Sequence, residues 1–252
     1  MPESGRRPTP REREAPSLGP SRRGLLGTGL LLAFDSWAPN DARARTSEAG
    51  LRLLTFGDSI LDCARYNERR LDPGRLLIRN DDALFPEFRG HDLLARGPAR
   101  LEHRAVDGST VEDLAEQLRT VKSGGAAVAI VSVGGNDLLR GLAGDAGIGL
   151  LRFEAAYERF LVALPVRPVV LGTVYDPTFG DDTRNFLGVP AGVARANYRR
   201  LNEIIGVLAA RHGRLADLHA HFLTGDPSWY AHTIEPSLKG ASEVRRVFLD
   251  RL

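Results

Sequence analysis

The sequence predicts an α/β domain built on a mostly parallel sheet that is covered on both faces. Three observations lead there. Short apolar segments alternate with amphipathic helical segments from residue 51 onward. Two of the apolar segments, AAVAIVSV (126–133) and PVVLGTV (168–174), are continuous runs, as expected of strands buried on both faces. The stretches between strands are long enough for the crossovers that parallel strands require.

In order, LRLLTF (51–56) reads as the first strand and LEHRAV (101–106) as the second. TVEDLAEQLRTV (110–121) places Val111, Leu114 and Leu118 on one helical face. Residues 126–133 form the third strand, 153–164 a helix and 168–174 the fourth strand. The segment 191–213 is a long helix that stops at Gly213. RLADL (214–218) is a fifth strand, and 237–252 closes the chain as a helix. No internal repeat interrupts the pattern, so 46–252 is expected to be one domain.

Residues 1–45 differ in character and are expected to be a disordered leader with a signal peptide. The first twenty are rich in Pro, Arg and Glu without periodicity. Arg22 and Arg23 then precede an apolar run, 24–34, too short to span a bilayer comfortably. Ala42-Arg43-Ala44 offers small residues where a signal peptidase reads. The arginine pair resembles a twin-arginine signal, so export to the periplasm or the exterior is expected. A basic leader with no export role is the alternative. No later run is long enough for an integral membrane span.

The leader also explains the charge. It holds eight Arg and five acids, so 26 basic and 27 acidic groups remain in the body, a net of −1. A near-neutral body gives no electrostatic reason to expect a nucleic-acid partner. Cys63 is the sole cysteine, so no intrachain disulfide can form.

Parallel sheets bind ligands at the carboxyl ends of their strands. Gly57-Asp58-Ser59 follows the first strand, Asp107-Gly108-Ser109 the second and Gly134-Gly135-Asn136-Asp137 the third. Each is weak alone, since Ser caps helices and Gly fills turns. Together they place a serine at a helix start beside two groups able to hold an oxyanion. These groups are the Gly108 N–H and the Asn136 amide, with the Ser59 N–H as a third.

FGDSILD, VDGST and VGGND resemble, in order and spacing, the first three blocks of the GDSL or SGNH hydrolases. The Asn202-Glu203 pair is fainter support. The resemblance covers about 51–250 and implies a flavodoxin-like three-layer α/β/α fold. It implies ester hydrolysis by an acyl-enzyme on Ser59, with Ser59, Gly108 and Asn136 as oxyanion donors and no cofactor or metal. Small-molecule esters or acylated glycans are the implied substrates, including acetyl groups on carbohydrate. A non-catalytic ester- or glycan-binding domain on the same scaffold is the alternative.

The fourth block departs from the family's Asp-x-x-His-Pro. Here the chain reads His232-Thr233-Ile234-Glu235-Pro236, with acid and base types exchanged. His232 as base oriented by Glu235, Glu235 as direct base, and an inactive pair all stay open. So does a plain helix entrance, where Glu is favoured by the dipole. Asp217-x-His219-x-His221 could put two imidazoles on one side of a strand, for a metal, a substitute base or neither. Trp229 and Tyr230 are ligand contacts or packing, and Cys63 is packing. The arginines between Asp62 and Gly90 rim the site or form a self-paired face.

Overall fold

A computed structural model describes residues 50–252. The leader, Arg22-Arg23, the apolar run 24–34 and Ala42-Arg43-Ala44 lie outside the described residues.

Five strands form one sheet: β1 (Leu51–Gly57), β2 (Ala99–His103), β3 (Ala127–Ser132), β4 (Val169–Gly172) and β5 (Arg214–Ala216). Their order is β2-β1-β3-β4-β5 and every pairing is parallel. This is the flavodoxin-like order, which reverses direction between β1 and β3. The reversal puts the carboxyl ends of β1, β2 and β3 side by side, with β1 central.

Helices cover both faces. In chain order they are α1 (Pro73–Ile78), α2 (Leu93–Arg96), α3 (Leu114–Leu118), α4 (Gly135–Leu139), α5 (Ile148–Ala163), α6 (Ala191–His212), α7 (Leu218–Phe222) and α8 (Leu238–Leu249). Side chains of a strand alternate between faces, and the core divides accordingly. Leu54, Phe56, Ala129 and Val131 pack with Phe153, Phe160, Leu201 and Ile205 of α5 and α6. Leu53, Val128 and Ile130 pack with Leu218, Phe222, Val244 and Phe248 of α7 and α8. Each such large apolar side chain contributes roughly 1.5–3 kcal/mol when fully buried. Among the described residues no helix is long and apolar enough to cross a membrane.

Several segments differ from the sequence expectation. The helix expected over 110–121 is a 3-10 turn, Val111–Asp113, followed by the short α3. The fifth strand ends at Ala216, because Asp217 caps α7 by accepting from Ala220 N at 3.0 Å. A two-stranded hairpin, β6 (Tyr230–Ala231) and β7 (Glu235–Pro236), precedes α8 and carries the exchanged pair. Strands this short have no readable periodicity.

Candidate active site

The end of β1 is tightly held. Gly57 has φ +123°, and a Cβ there would lie 1.7 Å from the Ser132 carbonyl oxygen, so only glycine fits. The Gln117 side chain brackets its peptide: Gly57 N donates to Oε1 and Nε2 donates to Gly57 O, both at 2.8 Å. Nε2 also donates to Ser109 Oγ at 3.2 Å. One buried amide thus joins the nucleophile strand to the following oxyanion loop. Beyond Gly57 the chain makes a single turn, with Leu61 N and Asp62 N on the Asp58 carbonyl. Ser59 therefore sits on an isolated turn, not at the start of the expected helix.

The loop after β2 is fixed from all sides. Asp62 Oδ2 accepts from Asp107 N at 2.9 Å, and Asp107 Oδ2 accepts from Tyr66 and Arg65 at 2.6 and 2.9 Å. Arg140 donates to Gly108 O at 2.8 Å, and Asn136 Nδ2 donates to Ser109 O at 3.0 Å. Gly108 has φ +82°, a conformation glycine adopts without strain. Among the described residues no protein acceptor takes the N–H of Ser59 or Gly108. The Asn136 amide keeps a second hydrogen for a ligand. α4, which carries Asn136 and leads to Arg140, thereby presents one donor and steadies the loop that presents another.

The hairpin decides which member of the exchanged pair meets the serine. Ala231 pairs with Glu235, so the chain reverses within three residues. His232 and Thr233 take φ of +47° and +74°, and Ile234 N donates to His232 O at 2.9 Å in a γ-turn. Positive φ is costly for a β-branched residue and marks a constrained turn. Tyr175 OH donates to Ile234 O at 2.7 Å, and Gly240 of α8 packs where a Cβ would meet Trp229 O at 2.0 Å. The Glu235 carboxyl consequently comes near enough to the Ser59 hydroxyl for the serine to lower its pKa. His232 is exposed, with its ring edge-on to Tyr66 at 5.7 Å.

Electrostatics set the protonation states. Burial pushes the Glu235 carboxyl up; the Ser59 hydroxyl opposes this, Asp107 adds to it, and Arg65 and His232 pull back. Its Oε2 is buried without a hydrogen-bond partner. Asp58, 1% exposed, is pushed up to about 8 by burial, against the bond from Ile60 N and with help from Asp137, Glu235 and Asp107. It is therefore a neutral acid at pH 7. Burial likewise pushes Asp137 up to about 6. A charged Asp58 would oppose any negative charge developing beside Ser59.

Beside Ser59 and Asn136 opens a pocket. It extends toward the end of β4 and the loop 177–190. Glu235, Gly108, Arg65 and His232 do not line it.

The family model described as GDSL-like lipase/acylhydrolase matches residues 55–241. The chain belongs to this family. It is therefore an ester-hydrolysing enzyme. Among solved structures, the acetylxylan esterase Axe2 from Geobacillus stearothermophilus is similar at 20% identity, with a TM-score of 0.57 over 79% of this chain and 93% of Axe2. A member of the lipolytic G-D-S-L family from Veillonella parvula gives 17% identity and a TM-score of 0.55 over 80% and 97%. LAE5, an alpha/beta hydrolase from the metagenome of Lake Arreo, Spain, gives 23% and 0.56 over 79% and 94%. At these identities the structures speak for the fold. No curated protein matches this chain.

In this GDSL-like hydrolase the remaining candidates lie elsewhere. His219 and His221 ride on α7, not on a strand. His219 Nδ1 meets Tyr198 OH at 2.6 Å and His221 Nε2 meets Glu243 at 2.8 Å. Among the described residues no cluster of three or more His, Cys, Asp or Glu could hold a metal. Trp229 is buried and stacks on His221 at 5.2 Å, while Tyr230 packs against Tyr175 and Phe222. Cys63 is buried with Leu76, Phe85 and Phe88. In the arginine-rich stretch Arg75 pairs with Asp72 and Arg89 with Asp82; Arg65 pairs with Asp107 at the site's edge. The sequence reading missed Gln117, Tyr175 and Arg140. Only Gln117 left a trace, as a polar residue at the buried face of a short helix.

Proposed function

We propose that the enzyme hydrolyses carboxylic esters through Ser59, with Glu235 as the base that takes the serine proton directly. The approach of the Glu235 carboxyl to the Ser59 hydroxyl, close enough for the serine to lower its pKa, carries this reading. Ser59 Oγ attacks the ester carbonyl and its proton passes to Glu235. The Ser59 N–H, the Gly108 N–H and the free hydrogen of Asn136 receive the oxyanion. The alcohol leaves with the proton from Glu235. Water then attacks the acyl-serine, gives a proton to Glu235 and releases the acid, and Ser59 recovers its proton.

A carboxylate is a weak base for a serine in water, but burial raises its basicity. His232 faces solvent and acts on Glu235 only through its charge. A serine as nucleophile is also consistent with Axe2, for which serine-to-alanine and histidine-to-alanine forms are described as catalytic mutants. Removal of acetyl groups from carbohydrate, expected from the sequence, gains support from the acetylxylan esterases among the structural neighbours. Export rests on the sequence of Arg22, Arg23 and the apolar run after them.

The test is turnover of aryl esters and acetylated xylo-oligosaccharides by the purified enzyme. Hydrolysis abolished by Ser59→Ala supports the reading. Hydrolysis retained by Ser59→Ala overturns it. Export is tested by changing Arg22 and Arg23 to Lys: cytoplasmic retention supports a twin-arginine signal, and unchanged export removes it.

A further inference from the structure

The site is sided, and the sides differ in chemistry. Glu235, Arg65, Asp107, Tyr66 and His232 lie together on the β2 side of Ser59. The pocket opens on the β4 side, walled by Leu138, Leu139, Val174, Phe186, Leu187 and Ile234. Leu139 and Phe186 are 43% and 44% exposed. They belong to the mouth of the same pocket that Ser59 and Asn136 line.

The charged group at its far end is not free to bind an anion. Arg195 is clamped by Asp176 and by Asp182, the latter at 2.8 Å. Burial alone would raise the Asp176 carboxyl, but hydrogen bonds from Thr178 and Arg195 hold it below the usual range, so it stays ionised against the guanidinium. The cavity therefore offers apolar wall and a neutralised base.

Chemistry fixes which half of an ester occupies it. The leaving oxygen must collect its proton from Glu235, so the alcohol departs on the polar β2 side. The carbonyl oxygen faces Asn136 and Gly108. The acyl chain is then left to the apolar side. We propose that this pocket is the acyl subsite and selects esters of medium-length unbranched fatty acids over acetate, with a polar alcohol on the Arg65 side. The inference rests on Ser59 being the nucleophile. It narrows the substrate from esters in general and runs against a preference for acetyl groups.

Two measurements test it. The first is kcat/KM for nitrophenyl acetate, butyrate, hexanoate and octanoate. Each methylene taken into the pocket should raise kcat/KM by roughly threefold. Over the six methylenes that separate them, octanoate should therefore exceed acetate by on the order of 10³-fold. Leu139→Asp and Phe186→Asp alter exposed positions that the fold tolerates, which melting curves check. Each should cut the octanoate-to-acetate ratio by at least about fivefold. The second measurement is calorimetric binding of hexanoyl and acetyl methyl esters to Ser59→Ala, which needs no turnover. Tighter binding of the hexanoyl ester, weakened by Phe186→Asp, supports the subsite even if the wild type proves unable to hydrolyse esters. Acetate preferred in turnover, or equal binding of the two esters by Ser59→Ala, overturns it.

Discussion

Glu235 lies beside the Ser59 hydroxyl, while His232, three residues earlier, turns its ring to Tyr66 and solvent. The hairpin between them produces this exchange. Pairing Ala231 with Glu235 points the carboxylate inward and leaves His232 at the tip. The fourth block keeps its place in the chain, but the residue that reaches the serine is an acid.

Replacing each member of the pair separates their roles. Glu235→Gln should lower kcat by about 10²–10⁴-fold, the usual worth of a general base. His232→Ala should change kcat by less than about fivefold, since an exposed charge acts weakly at a distance. Steady-state kinetics on one aryl ester checks both. The reverse pattern would make His232 the base.

The acid limb of the pH–rate profile should belong to Glu235. Activity requires its ionised form, so kcat/KM rises with pH through a carboxyl held above its ordinary value by burial. Arg65 pulls that value down. Arg65→Met should therefore move the acid limb to higher pH. A limb that stays put or moves to lower pH contradicts this assignment.

Asp58 should make the fold less stable as the solution turns alkaline. Its folded pKa, about 8, lies above the unfolded value of 3.8. The native state thus holds a proton that the unfolded chain releases. The stability this proton supplies is complete below about pH 4 and lost as pH rises through about 8. Between about pH 5 and pH 8 the loss is on the order of 4 kcal/mol, or roughly 10 °C in Tm. Asp58→Asn should flatten that slope in thermal melts. An unchanged slope would show that Asp58 does not titrate there.

Gln117 should behave as a positioning residue. Gln117→Ala leaves the Gly57 N–H and carbonyl without their side-chain partners, at about 1–3 kcal/mol each. It also frees Ser109, so the serine turn and the Gly108 loop lose their common tie. kcat should fall about 10–100-fold with KM little changed, well below the melting temperature. A lower Tm with unaltered kcat would make Gln117 structural only.

The layers of the fold were legible because buried parallel strands are continuous apolar runs. The segment 126–133 is one, and β3 occupies its core. The strand-end motifs were legible because glycines declare positions with unusual backbone, as Gly57 does. The hairpin at 230–236 was not legible. Its turn rests on positive φ at His232 and Thr233, which neither residue type signals. α7 was hidden because Asp217 both ends β5 and caps a helix, and its histidines mimicked strand alternation. Side-chain clamps such as Gln117 on Gly57 join residues 60 positions apart, a relation no local pattern carries.

Covalent capture tests the Ser59–Glu235 pairing most directly. The enzyme is treated with a fluorophosphonate and the adduct is located by peptide mass spectrometry, with labelling rates compared among variants. The expected adduct is on Ser59, formed at least about 100-fold more slowly in Glu235→Gln and at near wild-type rate in His232→Ala. An adduct on another residue, or full-rate labelling of Glu235→Gln with loss in His232→Ala, would contradict the account.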